Sequence, residues 1–494
     1  MSVNCILLYG NPDRPVHKSA GVFRIATELR NNGYTVQCID LFAFGKINDE
    51  FKQVMNNFCG TDTLWVGLST TFFGTIYRIG PKTEVNDLIL NFVEYMKEAH
   101  PNIKLLAGGV MSESISAINT DNFKIFTSYS DTEIVDYTKY LSSKSLANIN
   151  FNIMAPKVEG SEFKEFHTSK ILYQDEDIVF ENDVLPIEVS RGCIFKCKFC
   201  SFPLNGKKKG EWIKRPDILL DEFNRNYDNW GVTDYMFVDD TYNDTFDKVK
   251  SLYDDVFSKL KFKVKWTAFM RLDLIMRKPE MAEYLVQSGA ENLMFGIESI
   301  DLKSAKSIGK GVPPDEQFAF LRQLKQNEFK NVNCHSNFIV GLPYDSVESC
   351  ERTREFLMSD QNPLDSCQLG PLFMNPKKFD NKSAYSDFDL EFEKYGYEVT
   401  VNSDGKINWV NKKTGLTSKY AEAFANQTNK LLQQKVGVHS WVKSYYINLG
   451  VNKDDLQNLT ADQIHVKYDI MRLIKNKKTD YVSRVLALSE KMKK

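Results

Sequence analysis

Short apolar runs alternate with stretches of helical spacing over the first 145 residues. Cys5 to Tyr9 is an apolar strand that ends in the turn Gly10-Asn11-Pro12. A helix follows from Ser19 to Asn31 and stops at Gly33, a residue suited to a helix C-terminus. Tyr34 to Ile39 and Leu64 to Leu68 are the next strands. After Pro81, the residues Val85, Leu88, Ile89, Phe92, Val93 and Met96 trace one apolar helix face. Lys104 to Ala107 returns as a strand into Gly108-Gly109, and Lys124 to Thr127 makes a fifth. Strands separated by helices predict a parallel, doubly wound sheet whose ligands sit beyond the carboxyl ends of its strands.

Residues 146–186 have little periodicity, with Asn148-Ile149-Asn150, a Pro156 break and the acidic stretch Asp175-Glu176-Asp177, and they read as a connector. From 187 to 375 the strand–helix alternation resumes with longer helices. Strands are expected at Ile187–Ser190, Tyr235–Val238, Val264–Phe269, Asn292–Ile297, Ser336–Val340 and Ser366–Phe373. Helices between them cover Asp217–Trp230, Asp247–Lys259, Pro279–Gln287, Asp315–Asn327 and Ser346–Met358. Six such units predict an open or partial parallel barrel, with function at the C-terminal ends of its strands. Residues 376–494 differ: a hairpin over Glu398–Val410 turns at Asn402-Ser403-Asp404-Gly405, and helices follow at Ser418–Gln434 and Asp462–Lys475. The tail from Met471 carries eight Lys or Arg against two acids, which reads as a solvated helix face.

Composition narrows the class. The 494 residues exceed one ordinary domain, and 42% hydrophobic with 26% charged residues describes a globular chain with a large core. A formal net charge of −2 gives no whole-chain reason to expect nucleic acid or a membrane surface as partner. No run approaches the roughly 18 apolar residues of a membrane helix, and the first residues lack a basic leader, so a cytoplasmic protein is expected. In such a compartment a tight cysteine cluster indicates a metal site rather than a disulfide framework.

That cluster is Cys193, Cys197 and Cys200, three of nine cysteines, placed just past a strand. A structural zinc needs four ligands, and no other Cys or His lies between His167 and Cys334. Three thiolates with an open position suit an iron–sulfur cluster whose remaining iron binds a group other than protein. A zinc site completed by a distant His is the alternative. Cys5 and Cys38 fall inside strands as small buried hydrophobes, and Cys334 and Cys367 suit core packing near strand ends. Lys207-Lys208-Lys209, followed by Lys214 and Arg215, reads as a mobile loop or as a cradle for an anionic substrate.

The spacing Cys193-x3-Cys197-x2-Cys200, with the aromatic Phe199 before the last cysteine, resembles the signature of radical S-adenosylmethionine (radical SAM) enzymes. The resemblance implies a [4Fe-4S] cluster on the three cysteines and S-adenosylmethionine on the fourth iron. One electron then cleaves the sulfonium, and the resulting 5'-deoxyadenosyl radical takes a hydrogen atom from substrate. Further segments resemble the family's motifs in order. Asp239 and Asp240 of Phe237-Val238-Asp239-Asp240-Thr241 correspond to the residues that meet the cofactor's amino group. Arg271 of Trp266–Asp273 corresponds to a residue that meets its carboxylate, and Glu298 and Ser299 lie where the ribose or methionine portion is held. Gly341 of Asn337–Pro343 corresponds to backbone bordering the adenine.

The N-terminal part resembles the cobalamin-binding domain fused ahead of many radical SAM enzymes. Ser69 and Thr70 in Leu68–Thr71, Gly108 and Gly109 in Leu106–Gly109, and Ser128–Glu133 sit at strand ends where that domain holds the corrin and its tail. The cobalt-ligating motif Asp-x-His-x-x-Gly is absent: His17 has Pro15 and Ala20 at the positions of its Asp and Gly. The fold class implied is α/β, with a Rossmann-like sheet at 1–145, a connector at 146–186, a partial (β/α)6 TIM-type barrel at 187–375 and an α+β cap at 376–494. The implied function is radical SAM chemistry, leading with cobalamin-dependent methylation of an unactivated carbon. A cobalamin-independent rearrangement, epimerisation or cyclisation is the alternative, and a non-catalytic iron–sulfur or zinc sensor would account for the cysteines alone. Expected partners are a small-molecule, peptide or nucleoside substrate and an electron donor such as flavodoxin or ferredoxin, with no membrane.

Overall fold

The computed structural model describes residues 3–71, 77–79, 82–84, 87–109, 112, 123–143, 151–160, 166–202, 204–377, 385–402 and 406–493. Val85, Asn148–Asn150 and the turn residues Ser403–Gly405 lie outside them. The chain divides into two compact units, 1–181 with 471–494, and 182–470.

The first unit holds a six-stranded parallel sheet: β1 (Cys5–Tyr9), β2 (Val36–Asp40), β3 (Trp65–Ser69), β6 (Lys104–Gly108), β7 (Phe123–Thr127) and β8 (Lys157–Glu159) in the order β2-β1-β3-β6-β7-β8. A short antiparallel hairpin, β4 (Tyr77–Ile79) and β5 (Lys82–Glu84), stands apart from it. The strands β1 and β2 are buried along their whole length, on both faces, as in a doubly wound sheet. The helix Asp87–Ala99 buries Leu88, Ile89, Phe92, Val93 and Met96, the stripe expected from its spacing.

Two features depart from the sequence-based expectation. The connector contributes β8, whose three residues are too few for periodicity to register. The helix expected at Asp462–Lys475 is two helices, Ala461–Lys467 and Ile470–Lys493, broken at Tyr468-Asp469. The second returns to the first unit, where Tyr481, Val482 and Val485 join the apolar core and the Tyr481 hydroxyl accepts from the Asp40 backbone N–H at 2.9 Å. Each such apolar side chain contributes about 1.5–3 kcal/mol on burial. The tail is therefore charged on one face and structural on the other, rather than a solvated part of a cap.

The second unit is built on β9 (Leu185–Ile187), β10 (Asp234–Phe237), β11 (Lys265–Met270), β12 (Ala290–Glu298), β13 (Asn333–Val340) and β14 (Ser366–Pro371). All pair in parallel and in sequence order, the arrangement of an open barrel. Helices pack outside: Phe318 and Phe338 stack at 6.5 Å, and Phe223 meets Tyr235 edge-on at 4.8 Å. The expected hairpin is β15 (Tyr397–Val401) with β16 (Ile407–Asn411). Among the described residues no helix is long and apolar enough to cross a membrane.

Candidate iron–sulfur and cofactor site

The cysteine loop leaves β9 and is shaped by a glycine. Gly192 has φ +69°, and a Cβ there would stand 2.5 Å from Leu204 Cβ, so a side chain would push the returning strand away. The return is clamped on Cys193, whose carbonyl accepts from Gly206 N–H (2.8 Å) and Lys207 N–H (3.2 Å). Cys200 N–H closes a turn onto the Cys197 carbonyl at 3.1 Å, with the half-buried Phe199 inside it. Cys193 is buried, and Cys197 and Cys200 are partly open.

Donors and a cation stand beside two of the sulfurs. Cys193 Sγ accepts from Phe195 N–H at 3.4 Å and lies 3.3 Å from Thr241 Oγ1. Arg271 Nη1 stands 3.9 Å from Cys197 Sγ, and its guanidinium stacks on the Phe195 ring with 3.8 Å to the centroid. Burial pushes the Cys193 and Cys200 thiols up, so an iron centre would displace their protons on binding. Among the described residues no group of three His, Cys, Asp or Glu gathers around a single ion point. Three thiols spread along one loop instead suit a polynuclear centre, where each thiolate binds its own iron.

Arg271 is held on every side. Asp273 pairs with it bidentately, at 2.9 and 2.7 Å, and Asn243 bonds its backbone N–H and carbonyl at 2.8 and 2.9 Å. Asp240 sits half-buried, accepts from Gly192 N–H, and is raised to about 6 by burial and by Asp239 beside it. Its charge acts on both Cys193 and Cys200. Glu298 occupies a bulge between β12 and β13 at φ +70°, where burial raises its acid and Lys310 and Arg271 oppose the rise. Asp240 and Arg271 thus stand beside the cysteine loop, and Glu298 lies within electrostatic reach of Arg271.

Three other expected residues have different surroundings. Asp239 is buried and its oxygens accept from Val189 N–H (2.9 Å), Ser190 N–H (2.8 Å) and the Ser190 hydroxyl (3.3 Å). It ties the end of β9 to β10 through these three bonds. Ser299 Oγ accepts from Asp301 N–H at 3.0 Å within a local turn. Gly341, at φ +104°, donates its N–H to Asp345 and accepts the Tyr397 hydroxyl at 2.6 Å, and a Cβ there would meet Trp409 at 2.3 Å. Its lack of a side chain admits the indole of the hairpin's Trp409. Lys207 and Lys214 are also buried, ion-paired with Asp244 and Glu222, so the lysine run is no free cradle. Thr241, Asn243 and Asp273 were not legible as partners, because only the folded strand ends bring them to the loop.

At the carboxyl edge of the first sheet, Ser69 and Gly108 are register partners. Thr70 donates its N–H and hydroxyl to the Gly108 carbonyl at 2.8 and 2.9 Å and is fully buried. Gly109 has φ +100°, and a Cβ would stand 2.6 Å from Thr71 Oγ1, so local packing already explains it. Gly108 differs: among the described residues a Cβ there would meet only Phe126, at the ordinary contact distances of 3.9 and 4.0 Å. Ser128–Glu133 does not form an open loop. The helix Asp131–Ser143 begins within it, and Asp131 forms a buried ion pair with Arg24. Cys5, Cys38, Cys334 and Cys367 are buried, as expected for packing residues.

Comparison with known proteins agrees with this geometry. The radical SAM superfamily model matches residues 187–357. An uncharacterized methyltransferase of Pyrococcus horikoshii is 29% identical over 185 residues, which are 36% of this chain and 38% of that protein. The bacteriochlorophyllide d C-12(1)-methyltransferase of Chlorobaculum tepidum is 27% identical over 221 residues, 44% of this chain and 47% of that protein. The chain therefore spans less than half the length of these curated relatives. Among solved structures, the radical SAM methyltransferase TsrM of Kitasatospora setae, with cobalamin and a [4Fe-4S] cluster bound, superposes with TM-score 0.58 at 13% identity, covering 82% of this chain and 81% of that one. The cobalamin-dependent radical SAM enzyme OxsB, with aqua-cobalamin and S-adenosylmethionine bound, gives 0.59 at 14% identity over 99% and 80%. At such identity the likeness is one of fold: a Rossmann-like sheet ahead of a radical SAM barrel. Residues 187–357, the stretch that holds the cysteine loop and the barrel strands β10 to β13, thus match a radical SAM domain.

Proposed function

We propose that the chain is a radical SAM enzyme with one [4Fe-4S] cluster on Cys193, Cys197 and Cys200, which methylates an unactivated carbon with cobalamin held by the first unit. The observation that carries the reading is the three-thiol loop with a fixed guanidinium beside Cys197 and an open carboxyl beside Cys193 and Cys200. The methyltransferase relatives, and the cobalamin in the solved structures of like fold, support the methyl-transfer part. When bound, the cluster supplies the electron that cleaves S-adenosylmethionine, and cobalamin supplies a transferable methyl group.

The chain's own residues bind and orient. Asp240 accepts from the cofactor's ammonium group, Arg271 faces its carboxylate, and Glu298 meets its hydroxyl-bearing portion. Asp239 holds the loop that carries Asp240. These roles separate in two variants. Asp240→Ala is expected to weaken S-adenosylmethionine binding about tenfold, the loss of one charge-assisted bond, with iron content unchanged. Asp239→Ala leaves two buried N–H groups without an acceptor, so unfolding in urea should show a loss of about 1–3 kcal/mol. Equal effects of both on binding alone would reject the division.

The reading is tested by anaerobic reconstitution, reduction with dithionite and addition of S-adenosylmethionine. Formation of methionine and 5'-deoxyadenosine is expected. Zinc without sulfide in the purified protein would reject the enzyme class. The second reading, a cobalamin-independent radical reaction, is favoured by the missing Asp-x-His-x-x-Gly motif and by the local contacts that already explain Thr70 and Gly109. Under either reading the enzyme is cytoplasmic and takes its electron from a flavodoxin- or ferredoxin-like donor.

A further inference from the structure

The inner face of the second sheet carries a hydrogen-bonded array that the cysteine loop does not use. Phe338 packs outward on Phe318, so His335 and Asn337 face inward, as does Ser366 on β14. His335 Nδ1 lies 2.8 Å from Ser366 Oγ and its Nε2 lies 3.1 Å from Asn337 Oδ1. His439, just ahead of the helix Ser440–Asn448, packs its ring 3.8 Å from that of His335 and places Nε2 3.3 Å from the same Oδ1.

The direction of every bond follows from one backbone group. Trp441 N–H points at His439 Nδ1 at 3.1 Å and can only donate. His439 Nδ1 therefore carries no hydrogen, Nε2 does, and that hydrogen goes to Asn337 Oδ1. His335 is fully buried and held well toward its neutral form by desolvation. Its Nε2–H also donates to Oδ1, while Nδ1 accepts from Ser366. With both lone pairs of Oδ1 occupied, the Asn337 amide cannot flip, and its NH2 group faces outward.

Asn337 is exposed although it sits in the middle of the sheet, and so is its register partner Gln368. No described residue accepts from the Asn337 amide or pairs with the Gln368 side chain. Register pairs Asn337 with Gln368, and Met270, Phe295 and Ser336 stand side by side one residue earlier on β11, β12 and β13, so Asn337 lies two strands from the end of β11 where Arg271 follows. At about 4.8 Å per strand, Asn337 is on the order of 10 Å from the Arg271 column beside the cluster cysteines. One level below, Phe269 and Trp441 form a half-buried aromatic wall with centroids 5.8 Å apart.

We propose that Asn337 and Gln368 recognise a neutral acceptor on the substrate, a carbonyl or carboxamide oxygen, while Phe269 and Trp441 receive a flat apolar part next to it. The assignment of this ligand as the substrate rests on the radical SAM reading above. The two imidazoles act as positioning groups that aim the amide. They explain why uncharged residues present donors here: each carboxamide offers N–H groups without attracting a counter-ion.

Two aromatic probes test the site in the reconstituted protein: acetophenone, which only accepts, and benzylammonium, which only donates. Ligand-detected NMR should show wild type preferring acetophenone. Asn337→Asp keeps the shape and the two histidine bonds but turns an acceptor outward. Acetophenone binding should weaken about tenfold and benzylammonium binding should strengthen. Gln368→Leu should weaken acetophenone in the same direction without the gain for benzylammonium. Long-range 15N spectra of the histidines should show Nε2–H at both His335 and His439. Unchanged probe affinities in both variants, or an Nδ1–H form at His439, would overturn the proposal. Neither probe needs the cluster chemistry, so a wild type that cleaves S-adenosylmethionine but shows no preference for acetophenone refutes this site alone.

Discussion

Alanine at Cys193, Cys197 or Cys200 is expected to abolish cluster assembly and with it all formation of 5'-deoxyadenosine. In the proposed centre each thiolate would bind a different iron, so the loss of one would leave a second iron without a protein ligand and the cube would not persist. The effect on activity should be complete rather than graded. Wild type should hold about four irons and four sulfides per chain, and each variant close to none. The fold should survive, because the loop is held by backbone bonds from Gly206 and Lys207 to the Cys193 carbonyl, which alanine keeps. Cys5→Ala, Cys38→Ala and Cys59→Ala should leave the iron count unchanged, since these thiols are remote from the loop in sequence and packed within the first unit. About eight irons in wild type would mean a second cluster and would end the single-cluster reading.

The second large effect concerns the corrin. Wild type is expected to retain hydroxocobalamin with its visible absorption after anaerobic reconstitution, and His17→Ala should change neither stoichiometry nor spectrum, because His17 is out of register with the ligating motif. Gly108→Leu is the decisive variant. A Cβ at Gly108 would make only ordinary contacts with Phe126 among the described residues, so leucine there is expected to remove uptake if a corrin occupies that edge, with the melting temperature as the control for folding. Gly109→Leu is no substitute, since φ +100° and Thr71 at 2.6 Å would disturb the loop whether or not a corrin binds. Gly108→Leu with undiminished cobalamin would move the corrin away from this edge. A wild type that retains none would remove the methyltransferase reading and leave the cobalamin-independent reaction.

Much of the fold was legible because it is periodic. The six barrel strands lie within a few residues of their expected places, and the stripe from Leu88 to Met96 is buried as its spacing demanded. The cysteine loop was legible because its chemistry is local: three thiols within eight residues need no tertiary information to suggest one centre. Residues whose meaning depends on a distant neighbour were not. Asp239 and Asp240 are adjacent and identical in type, yet one is enclosed by β9 backbone N–H groups and the other is open. Nothing local to Gly341 points to Trp409, 68 residues later, as a group that packs against its backbone. The strand β8 and the destination of the last helix failed for the same reason. Short pairing and long-range docking leave no repeat in the sequence.

The return of the helix Ile470–Lys493 to the first unit sets an order of events during synthesis. The strands of the first sheet leave the ribosome early, but the apolar surface that Tyr481, Val482 and Val485 cover stays bare until nearly 300 further residues, the whole of 182–470, have been made. At about 5–20 residues per second that interval lasts roughly 15–60 seconds. The second unit, continuous in sequence, can complete its own core within it. The N-terminal unit, first to be translated, is thus the last to close, and any factor that guards exposed apolar surface on nascent chains has its longest opportunity there.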